Sequence, residues 1–306
     1  MSQLETPVAL IVFNRPETTR HVFKAVAAAR PSHLFLIADS PRTDRPGEAE
    51  RCEQVRKIVT AVDWPCQVET SFASENMGCR RRVISGLNWV FSAVEEAIIL
   101  EDDCVPDPSF FPFCAELLVR YRNHPQIAYV SGFNPLEKDF PFPFSYYYSQ
   151  MANLWGWATW RRAWSEYDEH IQSWPAVKEA GLLNLIFPDK KAVAYWSAIF
   201  DRMAQGTGPN TWDYQWVYTC WMRNWLAVVP RRNLIQNIGF GGDATHPQAA
   251  DPGLTLPAAS VEFPLRHPPA MTAWPAQAIL AQRRFYTPNI PRRVRRKILS
   301  RLGPSA

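Results

Sequence analysis

The chain lacks any apolar run approaching the ~18 residues that a membrane-spanning helix needs, which excludes a transmembrane segment of that kind. Its opening residues, MSQLETPVALIVFNRP, have no basic stretch ahead of a short apolar run that closes on Asn14-Arg15-Pro16. They read as a first β-strand, not as a secretory signal. Cysteine is sparse: Cys52, Cys66, Cys79, Cys104, Cys114 and Cys220 show neither CxxC spacing nor the density of a disulfide scaffold. Reduced, mostly buried thiols of a cytoplasmic protein are the expectation. Two nucleotide-binding signatures are also missing. No GxGxxG follows the first strand, which argues against a dinucleotide-dependent oxidoreductase, and no GxxxxGK[ST] is present, which argues against a P-loop NTPase.

What remains is an ordinary globular composition in 306 residues, with 47% hydrophobic and 20% charged residues, long enough to bury a full core. The 13 Trp and 27 Pro concentrate after residue 105, so a regular first half and a loop-rich, aromatic second half are expected. The formal net charge of +4 is misleading. Arg283, Arg284, Arg292, Arg293, Arg295, Arg296, Lys297 and Arg301 form a tail without acids, and setting them aside leaves a body of about −4. A nucleic-acid-binding face is therefore not expected. With Ile298, Leu299 and Leu302 interleaved, the tail could rest on an anionic membrane surface, or be a solvated terminal helix.

Along the first part of the chain, short apolar runs alternate with helical patterns. Strands are expected at Val8–Phe13, His33–Ala38, Gln67–Phe72 and Ala97–Leu100. Helices are expected from Pro16 to about Arg30, Glu48 to Val62, Cys79 to Val94 and Ser109 to Arg122. Runs that are apolar throughout mark strands covered on both faces, so the fold class is α/β, a mostly parallel sheet flanked by helices. Further helical stretches lie around Ala192–Met203 and Tyr214–Asn224, and the Pro- and Ala-rich stretch 248–291 is expected to wrap the surface.

In a doubly wound sheet the ligand crevice lies beyond the carboxyl ends of the strands. The segments there are Asn14-Arg15-Pro16, Asp39-Ser40-Pro41-Arg42, Ser74-Glu75-Asn76-Met77-Gly78 and Glu101-Asp102-Asp103. Three consecutive carboxylates at a strand end repel one another unless a cation compensates them. A hard divalent ion, Mn2+ or Mg2+, takes carboxylate oxygens and shares its other positions with substrate phosphates. The plainer alternative is a solvated acidic turn.

The order strand–Asn-Arg-Pro, strand–Asp39, Glu75-Asn76-Met77-Gly78 and Ile-Leu-Glu-Asp-Asp resembles the nucleotide-sugar half of GT-A glycosyltransferases. It is most similar to bacterial family-2-like nucleotide-diphospho-sugar transferases, and distantly to the inverting Golgi N-acetylglucosaminyltransferases. Later blocks look like the same group: Trp155-Gly156-Trp157-Ala158-Thr159-Trp160, Trp212-Asp213-Tyr214-Gln215-Trp216, and Asn237-Ile238-Gly239-Phe240 through Asp243-Ala244-Thr245-His246. The resemblance covers roughly residues 7–246 and implies a GT-A domain over 1–246. Its nucleotide-sugar half would span about 1–131 and its acceptor half about 132–246, followed by the Pro-rich segment and basic tail of 247–306.

By that resemblance Asp103 would ligate the metal, His246 would complete its site, and Asp243 would orient His246. Asp102 would accept from the ribose, and Glu101 would orient its neighbours or the sugar. Asp39 would read the pyrimidine edge, and Arg15 would lie near the base or the phosphates. Asn76 and Gly78 lead into a helix N-terminus suited to an anion, with Arg80 or Arg82 facing the diphosphate. Asp213 would be the base that takes the acceptor proton in an inverting transfer, or a helix N-cap. Trp155 and Trp157 would meet the acceptor, with Gly156 allowing close approach and at least one of Trp155, Trp157 and Trp160 packed in the core.

The implied activity is hexosyltransferase-like: a sugar moves from a nucleotide-diphosphate donor, a UDP-sugar favoured, to a glycan or glycolipid hydroxyl in polysaccharide biosynthesis. The setting would be cytoplasmic, with the tail reaching the inner face of the membrane in one reading. A nucleotidyltransferase, a non-catalytic carbohydrate-binding protein and a retaining transferase are the alternatives.

Overall fold

The computed structural model describes residues 3–151, 153–240 and 256–281. Asp243, His246 and the basic tail lie outside the described residues, and with them the late metal ligand and the membrane contact expected above. Among the described residues no helix is long and apolar enough to cross a membrane.

The first half alternates as its apolar runs foretell. Strand β1 (Val8–Val12) leads to helix α1 (Pro16–Ala29), β2 (His33–Ala38) to α2 (Glu48–Thr60), and β3 (Gln67–Phe72) to α3 (Gly78–Ala93). Strand β4 (Glu96–Glu101) is followed by the short β5 (Cys104–Pro106), and then by α4 (Phe110–Tyr121) and β6 (Ile127–Ser131). Strands β1, β2 and β4 are apolar throughout because their residues serve two cores in alternation. Val8, Leu10 and Val12 join Leu34, Leu36, Ile98 and Leu100 beneath α1, α2 and α4. Ala9 and Ile11 join Phe35, Ile37 and Ile99 on the other face, against Val83, Leu87 and Val90 of α3. Two-sided burial at about 25 cal/mol per Å2 of apolar surface is what a continuous Val/Leu/Ile run supplies, and an alternating strand does not.

The second half holds strands that apolar patterning did not mark. The tyrosine triplet is β7 (Tyr146–Ser149), and the Trp157–Trp160 run is β8. Short helices α5 (Arg161–Trp164), α6 (Trp174–Glu179) and α7 (Leu183–Ile186) precede α8 (Lys190–Ala204) and α9 (Asp213–Met222). Strands β9 (Leu226–Pro230) and β10 (Ile235–Asn237) and helix α10 (Pro275–Ala281) complete the elements. A third apolar cluster, including Trp174, Trp196, Phe200 and Trp221, holds α6 to α9 together.

The main sheet has eight strands in the order β3-β2-β1-β4-β8-β6-β9-β7, and a separate ribbon pairs β10 with β5. Strand β8 runs antiparallel between β4 and β6, with Ile99 opposite Trp157 and Ser131 opposite Trp157. Strand β7 is antiparallel to β9; the β1–β2, β1–β4, β2–β3 and β6–β9 pairs are parallel. The segment 256–281 lies along the β7 edge. Arg266 N donates to Ser145 Oγ at 2.8 Å, and Tyr148 bridges to Ala273.

The block expected to present tryptophans to an acceptor is mainly structural. Trp157 and Trp160 are each 1% exposed, and Trp157 stacks on Trp212 with ring centroids 5.4 Å apart. Trp157 is thus corrected from an acceptor contact to a core side chain. Gly156, at φ +55°, allows close approach of Ile235, not of a sugar: a Cβ there would lie 2.4 Å from Ile235 Cδ1.

Candidate functional site

The carboxyl ends of β1, β2 and β4 place residues 13–15, 39–42 and 101–103 along one edge of the sheet. The turn from β4 into β5 carries the acidic triplet, and the pairing of β5 with β10 holds it in place: Asn237 lies opposite Cys104, and Ile238 N donates to the Asp103 carbonyl at 2.9 Å. Asp102 is buried, at 3% exposure, and accepts from Phe13 N at 3.1 Å.

Arg15 reaches across from the start of α1. Its Nη2 donates to Asp102 Oδ1 and its Nη1 to Asp103 Oδ2, the latter at 3.0 Å. Burial works against the guanidinium's charge, but Asp102 and Asp103 outweigh it and hold Arg15 above its ordinary value. The carboxyls respond in turn. Burial, then the charges of Asp103 and Asp102, raise Glu101; burial also raises Asp102, against the pull of Arg15. Gly239 closes over the pair, since a Cβ there would stand 2.2 Å from Asp103 Oδ2 and 2.9 Å from Arg15 Nη1. Phe240, next in the chain, meets the half-buried ring of Trp155 at 5.6 Å, and Trp155 also packs on Phe133 at 4.6 Å.

Asp213, from the far half of the chain, contributes its negative charge to Glu101. It is the first residue of α9 and not its N-cap, which is Trp212. Its Oδ1 accepts from Thr211 Oγ1 at 2.6 Å and from Tyr214 N at 3.0 Å. The Tyr167 phenol feels both Arg80 and Asp213, which places Arg80 on the same side of the site. Arg80 itself donates from Nη2 to the Glu169 carbonyl at 2.7 Å.

Three expected contacts are taken by the protein itself. The Asp39 carboxylate receives four donors: Ser40 N and Met77 N on Oδ1, and Gly78 N and the Asn76 amide on Oδ2. A carboxylate offers about four lone-pair positions, so none is left to read a pyrimidine edge. The anion at the head of α3 is therefore Asp39, not a diphosphate, and Arg80 N is capped by Asn210 Oδ1 at 3.2 Å. Gly78, at φ +74°, presses so closely on Asn210 that a Cβ would sit 2.6 Å from Nδ2. Arg82 is 5% exposed and ties α3 to the ends of β2 and β3, from Nε to the Ala38 carbonyl at 3.1 Å and from Nη2 to Ser71 Oγ at 2.8 Å. Of the two candidate arginines, Arg82 is spent on the ends of β2 and β3, and Arg80 is engaged by Glu169, whose carboxylate lies 3.6 Å from Nε.

Sequence reasoning missed Glu48. Its side chain is fully buried and accepts from Asn14 Nδ2 at 2.8 Å and from Arg42 N at 2.7 Å and Nε at 3.0 Å, lacing the loops after β1 and β2 together. No local signal marks it, because its partners come from two other loops. Asn210 and Glu169 were missed for the same reason.

The sequence matches no protein-family model and no curated protein. Among solved structures the chain is similar to a UDP-glucose pyrophosphorylase complexed with UDP-glucose, at 9% identity and a TM-score of 0.27. That match covers 47% of this chain and spans 62% of the other chain's length.

Proposed function

We propose that the chain is a metal-dependent glycosyltransferase that moves a sugar from a nucleotide-diphosphate donor, a UDP-sugar favoured, to the hydroxyl of a glycan or glycolipid. The observation that carries this reading is the Arg15–Asp102–Asp103 cluster at the carboxyl edge of the sheet, where such folds take their ligands.

A divalent cation fits this turn on the chemistry of its donors. Arg15 stands between Asp102 and Asp103 as a cation already shared by two carboxylates. Among the described residues no three His, Cys, Asp or Glu side chains form a metal site unaided. An ion of the Mg2+ or Mn2+ type is commonly held by one or two carboxylates and completed by substrate phosphates. Asp103 would hold it, with His246 as the second protein ligand. The ion would stabilise charge on the departing diphosphate.

The protein's own groups divide the remaining work. Asp213 takes the proton of the acceptor hydroxyl as its oxygen bonds to the anomeric carbon and the bond from that carbon to the diphosphate breaks. Glu101, raised by burial and by its acidic neighbours, keeps a proton to higher pH than an ordinary glutamate and so limits repulsion within the turn.

Thermal stability with UDP-, GDP-, dTDP- and CMP-sugars, each with and without Mn2+, tests the reading, because a ligand of the folded state raises the melting temperature. Metal-dependent stabilisation by one nucleotide family, lost in Asp103→Ala, is expected. A folded wild type that no donor stabilises would instead favour a carbohydrate-binding protein.

A further inference from the structure

The Arg15 side chain occupies the position a metal would share. Its guanidinium spans Asp102 and Asp103, while its backbone is anchored: the Arg15 carbonyl accepts from Thr19 N at 3.0 Å and Thr19 Oγ1 at 2.7 Å, fixing the first turn of α1. Only the side chain is left to move, and it is 21% exposed. Asp103 Oδ2 cannot serve Nη1 and a divalent ion at full strength together, since two cations at one oxygen repel. The other oxygen of Asp103 accepts from the Cys104 thiol at 3.3 Å, and Gly239 stands against Oδ2, so the accessible part of this carboxylate is already held by Arg15.

From this geometry we propose that Arg15 makes metal and diphosphate binding interdependent, a proposal that rests on the transferase reading. A metal arriving alone has to displace Nη1 from Asp103 and leave a guanidinium beside it with one anion fewer. A diphosphate arriving alone meets the carboxylates of Asp102 and Asp103, with Arg15 already engaged by both. When both arrive, the metal takes Asp103 and the released arm of Arg15 turns to the diphosphate, while Nη2 keeps Asp102 in place. Each ligand thus removes the obstacle to the other, and the coupling must be reciprocal.

The test is Mn2+ binding to the full chain, followed by the electron paramagnetic resonance signal of free Mn2+, with and without UDP and with Mn–UDP complexation in buffer subtracted. Wild type is expected to bind Mn2+ about tenfold or more tightly with UDP present, within the ordinary range of coupling between two sites. In Arg15→Gln, Mn2+ alone binds more tightly than to wild type, and the enhancement by UDP falls several-fold below that of wild type, leaving only the part owed to the phosphates' own ligation of the ion. Arg15→Lys keeps the charge but cannot bridge two carboxylates; it too loses most of the enhancement, and it carries the test if the Gln variant does not fold. If Arg15 acts only as a nearby charge, removing it strengthens Mn2+ binding equally with and without UDP and leaves the enhancement intact; that outcome overturns the proposal. An absence of Mn2+ binding in wild type and both variants, with or without UDP, overturns the metal-dependent reading itself.

Discussion

The Asp39 carboxylate accepts the backbone N–H of Gly78 at 2.9 Å, which seats a side chain from the end of β2 at the head of α3. The neighbouring N–H of Met77 is held at the same distance by the other oxygen. Two groups that a helix N-terminus would offer to an anion are therefore already satisfied within the chain.

Asp39→Asn is expected to destabilise the fold by about 1–3 kcal/mol, because an amide NH2 replaces one acceptor and leaves a backbone donor unpaired. Urea unfolding followed by circular dichroism measures it. Unchanged stability together with weakened nucleotide binding would return Asp39 to the base-reading role that its position suggested.

A second prediction concerns pH. Hydrogen bonds from Arg42, opposed by burial and joined by the pull of the Arg42 charge and the Asn14 amide, lower the Glu48 carboxyl to about 2 from an ordinary 4.5. A folded-state value below the unfolded one means that Glu48 stabilises the fold above pH 4.5, and that this contribution is lost as pH falls through the window from 4.5 to about 2. Wild type should lose stability across that window more steeply than Glu48→Gln, whose stability at neutral pH is lower from the start. Urea midpoints at successive pH values give both curves; parallel curves would show that Glu48 is not held ionised by its partners.

Much of the architecture of the first half was legible in the sequence. Strands β1, β2 and β4 announce themselves because two-sided burial leaves no polar residue in Val8–Val12 or in Ile98–Leu100. The acidic turn was legible too, since adjacent carboxylates at a strand end demand compensation. Strand β8 was not: four residues rich in tryptophan carry no period-two signal when Trp157 faces one core and Ala158 and Trp160 the other. The fates of Asp39 and Arg82 were hidden for another reason. Both sit at the sheet edge where ligand contacts occur, and only the tertiary fold shows that backbone groups of β2, β3 and the 76–78 turn reach them first. Sequence position identified the edge, but not which of its polar groups are already occupied.

Gly156 supplies a prediction about packing. Its φ is +55°, and a Cβ at this position would stand only 2.4 Å from Ile235 Cδ1 and 2.7 Å from Cγ1, so a side chain here combines backbone strain with overpacking. Gly156→Ala should cost about 1–3 kcal/mol from the steric contact alone, with backbone strain added. Ile235→Val in the same chain should recover only the part owed to Cδ1. Chemical denaturation of the single and double variants separates the two terms, and a stable Gly156→Ala protein would contradict this account of the turn.

The last prediction isolates Asp213. An Asn at that position retains an oxygen for Thr211 Oγ1 and Tyr214 N, so Asp213→Asn should fold and melt much as wild type does. What it loses is the charge able to take up a proton. Removing a positioned general base lowers turnover by about 10²- to 10⁴-fold, so nucleotide diphosphate release in the presence of acceptor should fall by that factor while donor binding by calorimetry persists. Loss of donor binding in parallel with turnover would place Asp213 in donor recognition, and turnover close to wild type would send the search for the base to another residue.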